Sequence, residues 1–224
     1  MFKKILMILA ATFSLVVFPS FAAPPPGGPT VSESGSRPQQ WRFRVSLGDK
    51  EIGEQVFKLD RRGERSTVSI AADFDVRYVA LSFYAYKHRN TETWRGDCLE
   101  SIDATTDDNG KQLAVQGSRA SDGFRVKASQ GQRLLPECIM SFAYWNPEFL
   151  RQGRLLNSQT GEFENVTISR IGPERIQVRQ RPVDATRYKL KGAGIDIDLW
   201  YADDRDWVRL ESEVNRSRLT YELI

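Results

Sequence analysis

VSIAADFDVRY, residues 68–78, alternates apolar and polar side chains along almost its whole length. The even positions from Val68 to Tyr78 are apolar or aromatic, while the odd positions, apart from Ala71, are polar. A period of two places alternate residues on opposite faces of a β-strand. The segment therefore predicts a long strand with one buried face and one face turned to water.

The same alternation continues on both sides of this strand. Further alternating runs lie at residues 41–47, 99–108, 111–119, 124–129, 195–202, 207–214 and 219–223. Asn109-Gly110 and Asp122-Gly123 separate successive runs, and both pairs suit the positive φ angles of a tight hairpin turn. Because short turns connect only antiparallel neighbours, the pattern predicts a meander.

A sheet of about ten consecutive strands does not stay flat, because strand twist accumulates by roughly 20° per pair. We therefore expect an all-β fold, mainly antiparallel, in which a strongly curved meander forms a half-barrel or a closed barrel. Alternation is equally compatible with a filled interior and with a cavity.

One helical signal interrupts the strands near residues 146–152. Asn146 suits an N-cap, Pro147 the first helical position, and Gly153 a left-handed terminator. The surrounding segment is dense in aromatic side chains. It predicts a short helix that covers the sheet.

The first 22 residues are typical of a cleavable secretory signal peptide. Two lysines precede an apolar run at residues 5–18, and Ser20 and Ala22 offer small side chains for cleavage. The run is shorter than the about 20 residues that span a bilayer, and no cysteine follows the cleavage site for lipid attachment. We therefore predict a periplasmic protein with no stable membrane anchor after cleavage.

Two further segments follow the predicted signal peptide. Residues 23–40 are rich in Pro, Gly and Ser and too poor in apolar groups to offset the entropy of ordering, so they predict a disordered tether. Residues 41–224 then form one β domain, for which a single core suffices.

The two cysteines, Cys98 and Cys138, both follow the predicted signal peptide. Export places them where disulfides persist, so we predict a bridge between them. The chain has no CxxC spacing and one histidine, which argues against a metal-bound thiol pair.

The charge balance excludes one class of partner. Without the two signal lysines the chain carries 30 basic and 29 acidic side chains. Binding to nucleic acid favours a one-signed cluster, so we predict no nucleic-acid partner. No ligand spacing of a metal or cofactor site is present either, and we predict neither.

Candidate catalytic groups are few: His88, Glu100, Asp196 and Asp198. Paired carboxylates suit glycoside hydrolysis, and a histidine suits general-base chemistry. No nucleophile, base and orienting group can be named together, so we assign no catalytic residue. The alternative interpretation places the aspartates on the polar face of a strand and makes His88 a solvated strand residue.

Six blocks of the sequence together resemble one protein family. They are FDVR at 74–77, WRGDCLES at 94–101, TDDNG at 106–110, FAYWNP at 142–147, LLNSQTG at 155–161 and IDLWY at 197–201. In this order they resemble a family of exported Gram-negative proteins known only as a domain of unknown function. The resemblance covers residues 41–223 and implies no catalytic residue.

A more distant similarity concerns architecture alone. The signal peptide, the curled meander and the covering helix are similar to LolA and LolB, lipoprotein carriers whose half-barrels shelter acyl chains. This chain lacks the lipid-attachment cysteine of LolB.

Three functional hypotheses follow. The first is an apolar-ligand binder, with a lipid or acyl chain inside the curled sheet. Its candidate lining residues are Phe74, Val76, Phe83, Trp94, Phe142, Tyr144, Trp145, Phe149 and Trp200. The second is a structural or interaction module with a filled core, whose sheet edge or surface binds an envelope protein. The third is a hydrolase of unknown specificity.

Overall fold

The computed structural model describes residues 39–78, 81–202 and 205–224. The predicted signal peptide, and the predicted tether up to residue 38, lie outside the described residues. The first strand already includes Gln39 and Gln40, two residues before the expected start of the domain at Trp41. Its backbone pairs with the second strand, where Gln40 lies opposite Lys58, and such pairing does not depend on an apolar side chain.

The described residues contain fourteen strands and one short helix. The strands are β1 (Gln39–Leu47), β2 (Lys50–Arg62), β3 (Arg65–Tyr78), β4 (Leu81–Arg95), β5 (Cys98–Asp108), β6 (Lys111–Ala120), β7 (Gly123–Ala128), β8 (Gly131–Leu135), β9 (Arg154–Leu156), β10 (Phe163–Val178), β11 (Arg181–Gly192), β12 (Ile195–Ala202), β13 (Trp207–Val214) and β14 (Ser217–Leu223).

All fourteen strands belong to one antiparallel sheet. Its order runs from β8 down to β1 and then from β14 down to β9, because β1 pairs with β14. Strands β8 and β9 are the two edges, and they do not pair with each other. The predicted all-β antiparallel meander is confirmed, and the open gap between the edges matches the half-barrel alternative.

The sheet has more strands than the about ten that alternation suggests. Strand β10 shows why, because only Val166 and Ile176 of its sixteen residues are buried. Its backbone ladder with β11 holds it in place while most of its side chains are exposed or only partly buried. A strand of this kind carries little hydrophobic pattern.

The two turns predicted from the sequence have different outcomes. Asn109 and Gly110 have φ values of 53° and 89°, which confirms the hairpin between β5 and β6. The turn before β7 consists instead of Ser121 and Asp122, because Gly123 already pairs with Ala120. The prediction was therefore displaced by one residue there.

Residues 136–153, which we call the cover segment, cross from one sheet edge to the other. Their 3₁₀ helix, Pro147–Arg151, confirms the predicted short helix, and the Asn146 side chain accepts a hydrogen bond from the Glu148 N–H at 3.0 Å. The helix ends at Gln152 in extended backbone, and Gly153 is not left-handed, contrary to our expectation.

The predicted Cys98–Cys138 disulfide is confirmed, and it joins the start of β5 to the cover segment. Beside it, the Leu99 N–H donates to the Ile139 carbonyl at 3.0 Å. On the other side, the Leu156 N–H of β9 donates to the Met140 carbonyl at 2.9 Å. The cover segment is therefore fastened to both β5 and β9.

One face of the sheet, which we call the inner face, packs against the cover segment and forms the main core. The ring centroid of Trp207 lies 4.1 Å from that of Phe43 and 5.2 Å from that of Tyr144. Trp94 meets Trp145 edge to face at 5.5 Å. Aromatic side chains of the cover segment therefore fill this part of the interior.

Glycine is required where β2 approaches β3. Gly53 has φ of 146°, and a Cβ there would lie 1.9 Å from the Asp73 carbonyl oxygen. The register of β1 against β2 shifts next to Gly53, between Val45 and Ser46. A bulge of this kind bends and twists a strand. The irregular part of the sheet therefore lies beside Phe74, the β3 partner of Gly53.

Candidate functional site

Strand β4 presents a row of largely polar side chains to the inner face. Alternate residues of a strand share one face, so the row follows the even positions of β4. Its members are Tyr84, Tyr86, His88, Asn90, Glu92 and Trp94. Asn90 and Glu92 are only 3% and 1% exposed. A row of buried polar groups on a core face is uncommon, because each must find a hydrogen-bond partner.

A cavity of about 360 Å³, which we call the groove, lies beside Tyr84, Tyr86 and His88 of this row. Its lining is mostly apolar and comes mainly from β1 to β4, β13 and β14, together with Asp108 of β5, Asn109 and Gln159. The lining includes Leu47, Ile52, Ala72, Phe74, Val76, Phe83, Tyr84, Tyr86, Val214, Leu219 and Tyr221. Phe74 stacks on Tyr86 with ring centroids 5.4 Å apart, and Tyr221 meets Phe74 edge to face at 6.1 Å.

A second cavity of about 260 Å³, which we call the chamber, adjoins the groove. Five residues line both cavities: Gln55, Tyr86, His88, Gln159 and Tyr221. The Tyr86 hydroxyl donates to Gln159 Oε1 at 3.3 Å where the two cavities meet. The chamber then extends under the cover segment, where Phe142 and Tyr144 line it.

His88 is buried, with 6% of its surface exposed, so the prediction of a solvated strand residue is wrong. Its Nδ1 lies 2.8 Å from Thr106 Oγ1, and its Nε2 lies 3.4 Å from Ser158 Oγ. Burial, together with the positive charge of Arg89, lowers the pKa of His88 to about 4. The imidazole is therefore neutral near pH 7.

Glu92 lies deeper in the same row and is surrounded by donors. Its carboxyl oxygens accept hydrogen bonds from Asn90 Nδ2 at 2.9 Å and from Trp94 Nε1 at 3.1 Å, and Ser141 of the cover segment also bonds to it. Burial raises the pKa of Glu92 and outweighs these hydrogen bonds, which act in the opposite direction. Ionisation of Glu92 is thus less favourable in this buried site than in water.

Asp108 lies at the side of the groove and is fully buried. One carboxyl oxygen accepts a hydrogen bond from the Tyr84 hydroxyl at 2.5 Å. Within the described part of the chain, the other oxygen, Oδ2, has no hydrogen-bond partner. Burial and the contact with Asp108 raise the pKa of Tyr84, so this phenol remains protonated and continues to donate.

Comparison with known families identifies the chain. A family model described as a domain of unknown function, DUF6134, matches residues 43–224. This chain belongs to the DUF6134 family. The resemblance to a family known only as a domain of unknown function is therefore confirmed. The DUF6134 chain matches none of the curated proteins.

A solved structure shares the fold of this DUF6134 chain. It is the crystal structure of a beta-barrel-like protein of domain of unknown function DUF1849 from Brucella abortus, with a TM-score of 0.60. The two sequences are 8% identical, and the alignment covers 84% of this chain and 95% of that chain. At this identity the likeness shows the fold alone.

The DUF6134 fold brings five of the nine predicted lining residues to the two cavities. Phe74, Val76 and Phe83 line the groove, while Phe142 and Tyr144 line the chamber. Whether they bind a ligand stays a prediction.

Three others, Trp94, Trp145 and Phe149, are buried in the packed core under the cover segment. Their aromatic neighbours occupy the space that a ligand would need. Trp145 and Phe149 themselves belong to the cover segment, and their side chains form part of the core.

Trp200 lies on the opposite, outer face of the sheet. The guanidinium carbons of Arg187 and Arg209 lie 5.2 and 5.6 Å from its ring centroid, and its Nε1–H donates to Glu174 at 3.0 Å. The side chain is 3% exposed because these neighbours cover it. Trp200 therefore belongs to neither cavity.

The four candidate catalytic groups do not converge in this DUF6134 chain. Asp198 pairs with Arg187 at 2.8 Å and Lys189 at 2.9 Å, and Glu100 pairs with Arg65 and Arg95. Burial opposes ionisation of Asp198, but hydrogen bonds from Arg187 and Lys189 outweigh it and lower its pKa. These ion pairs lie apart from His88, which belongs to the inner row.

Neither a metal-binding cluster nor a membrane-spanning helix is found among the described residues of this DUF6134 chain. No group of three or more His, Cys, Asp or Glu side chains within residues 39–78, 81–202 and 205–224 is arranged to hold a metal ion. Within the same ranges, no helix has the length and apolar character needed to cross a membrane.

Sequence reasoning missed the polar members of the site: Tyr86, Asn90, Glu92, Gln159 and Tyr221. The sequence contained a signal for three of them. Tyr86, Asn90 and Glu92 occupy even positions of the same strand as Trp94, which was predicted to face inward. Polar residues of a strand normally face solvent, so these three were not considered as members of a buried site. Gln159 and Tyr221 come from distant elements that only the fold brings together.

Proposed function

We propose that this DUF6134 protein binds an apolar ligand, an acyl chain, in the groove. The observation that carries the proposal is the groove itself, a mostly apolar, aromatic-lined hollow of about 360 Å³. Ligand sites are typically concave, mainly apolar and of roughly 300–1,000 Å³, with a few polar groups at fixed positions. Groove and chamber together provide both features.

The physical gain comes from removing apolar surface from water. Each methylene group that enters the groove contributes about 0.8 kcal/mol. Phe83, which lines the groove, is 57% exposed, and a bound chain would cover part of its ring. A flexible acyl chain can adapt its shape to such a groove, and its methylene groups carry no polar atom that would lose its hydration there.

We also propose that the protein works in the periplasm. The signal peptide predicted at residues 1–22 supports this location. The Cys98–Cys138 disulfide supports it independently, because such bonds persist in oxidising compartments.

The direct test is native mass spectrometry of protein purified from the cell envelope. We expect a co-purifying lipid that adds a defined mass to the protein. An apo mass alone under gentle conditions, together with no binding of the neutral dye N-phenyl-1-naphthylamine, would overturn the proposal.

A matched pair of variants localises the binding. Phe83 in the groove and Ile171 on β10 are 57% and 58% exposed, so either can be replaced by serine at a similar structural cost. We expect Phe83→Ser to weaken dye binding about fivefold and Ile171→Ser to leave it unchanged. Equal effects of the two substitutions would place dye binding outside the groove.

One observation favours a second candidate, a protein-interaction module. Strand β8 is a sheet edge and carries Leu134, which is 56% exposed. An exposed apolar residue on an edge strand suits extension of the sheet by a partner strand. Crosslinking in intact cells tests this function: a reproducible partner lost on Leu134→Lys supports it, and an unchanged crosslink pattern contradicts it.

A further inference from the structure

The chamber differs in chemistry from the groove that it adjoins. Its lining includes many side chains with hydrogen-bonding groups, among them His88, Asn90, Glu92, Ser141, Asn157 and Ser158. The apolar groove thus leads to a polar inner end. A ligand that matches both parts is an amphiphile whose polar end lies in the chamber.

One buried atom in the chamber has no partner. Asn90 is 3% exposed, and within the described residues its Oδ1 makes no hydrogen bond. An unsatisfied buried acceptor costs about 1–3 kcal/mol, so such atoms are rare in folded proteins. A ligand group that donates a hydrogen bond would remove this cost.

The inference does not depend on the orientation of the Asn90 amide. In the orientation shown, Asn90 Nδ2 donates to Glu92 and leaves Oδ1 as an unpaired acceptor. In the flipped orientation, Oδ1 would face Glu92 and Nδ2 would be left as an unpaired donor. Either way, Asn90, which lines the chamber, keeps one polar atom without a partner among the described residues. A hydroxyl or a primary amide can satisfy both cases, because each group donates and accepts.

Asp108 supplies a second unpaired acceptor, at the side of the groove. The residue is fully buried, and its Oδ1 is occupied by the Tyr84 hydroxyl while its Oδ2 has no partner among the described residues. Asp108 therefore adds an unpaired hydrogen-bond acceptor to the lining of the groove.

The charges that line the two cavities disfavour an anionic ligand end. No lysine or arginine is among the described residues that line either cavity. The acidic groups there are Asp108 and Glu92, and His88 is neutral. A carboxylate or phosphate would lose its hydration beside acidic groups and without a counter-charge, which is strongly unfavourable.

We infer that the site takes a single-chain amphiphile with an uncharged hydrogen-bonding end, a hydroxyl or an amide, which bonds to Asn90 in the chamber while the chain lies in the groove. The inference rests on the proposed function and adds the class of ligand and its orientation. Asn90 is the residue that selects the polar end.

The test compares four competitors of equal chain length: decanol, decanamide, decanoate and decylamine. Each displaces N-phenyl-1-naphthylamine from the wild-type protein near neutral pH, below the concentration at which it forms micelles. We expect decanol and decanamide to displace the dye at concentrations about tenfold lower than decanoate, because the carboxylate must be buried beside acidic groups and without a counter-charge.

The Asn90→Leu variant tests the assigned residue. We expect decanol to lose about fivefold in affinity while the dye itself binds as before, which shows that the groove is intact. If the variant does not fold, the ranking of the four competitors on the wild-type protein still decides the inference.

The failures of the two proposals are distinguishable. Equal displacement by all four competitors would overturn the inference and leave acyl-chain binding in place. Preference for decanoate or for decylamine would do the same. Failure of the dye and of every competitor to bind would overturn both proposals.

Discussion

The inner face has two parts that are similar in sequence and differ in packing. In the first, the packed part, the cover segment places Phe149 against Tyr144 and Tyr201, with ring centroids 5.6 and 6.5 Å away. In the second, the open part, Phe74 and Tyr86 stack on each other and line the groove. Both parts consist of alternating strands rich in aromatic residues.

The difference lies in what covers each part. Residues 136–153 cross the packed part and fill it with Ile139, Met140, Trp145 and Phe149, all buried. The open part lies mainly on β1 to β4, β13 and β14, and the cover segment contributes no lining residue to the groove there. An aromatic residue on a strand therefore becomes core or cavity wall according to whether another segment reaches it.

The largest expected effect is on the free energy of unfolding, when one phenylalanine from each part is replaced. Phe149→Ala removes a fully buried ring and should lower the free energy of unfolding by about 3–5 kcal/mol. Phe74→Ala, at the partly buried wall of the groove, should cost only about 1–2 kcal/mol. Urea unfolding of both variants measures the difference. Equal losses would mean that the open part is as tightly packed as the rest of the core.

The next effect concerns the disulfide that fastens the cover segment. Replacing Cys98 and Cys138 together by serine should lower the free energy of unfolding by about 2–4 kcal/mol, because the unfolded chain is no longer constrained. Chemical denaturation of the oxidised wild-type protein and the double variant gives this value.

Hydrogen exchange sharpens the same experiment. We expect faster exchange at the Leu99 and Leu156 amides, which bond to the cover segment, and little change at the Asn109 amide, which bonds to Ala85 in the open part. Uniform acceleration at all three amides would show that the two parts unfold as one unit.

The smallest expected effect concerns pH and the buried imidazole beside the groove. His88 has a folded-state pKa of about 4 against an ordinary 6.5, so the unfolded chain takes up a proton first as the pH falls. Its contribution to stability is therefore retained above pH 6.5 and lost as the pH falls towards 4. Between about pH 7 and pH 5 the wild-type protein should lose about 2 kcal/mol more than His88→Gln. Unfolding measured at both values checks this, and identical pH dependence of the two proteins would contradict a buried neutral His88.

Much of the fold was predictable because it depends on local chemistry. Alternation in residues 68–78 predicted a strand, and β3 contains that whole segment. Asn109-Gly110 predicted a hairpin turn because few residue pairs adopt positive φ so readily. Asn146 and Pro147 predicted the short helix, because capping and the fixed φ of proline also act within a few residues.

Less of the candidate site was predictable. Phe74, Val76 and Phe83 were selected for their size, and the fold brings them to one groove. Trp200 was selected for the same reason, yet it faces outward between two arginines. Size alone does not tell the two faces of a strand apart when the outer face can also bury a ring under long cationic side chains.

The sequence by itself determined an antiparallel sheet of consecutive hairpins, a short covering helix and one disulfide, because period, turn chemistry and cysteine number are properties of neighbouring residues or of composition. Only the tertiary structure decided that β1 pairs with β14, that residues 136–153 fill one part of the inner face, and that Asn90 and Glu92 lie buried beside a cavity. These outcomes depend on which distant segments meet, and burial of a side chain is set by its neighbours in space.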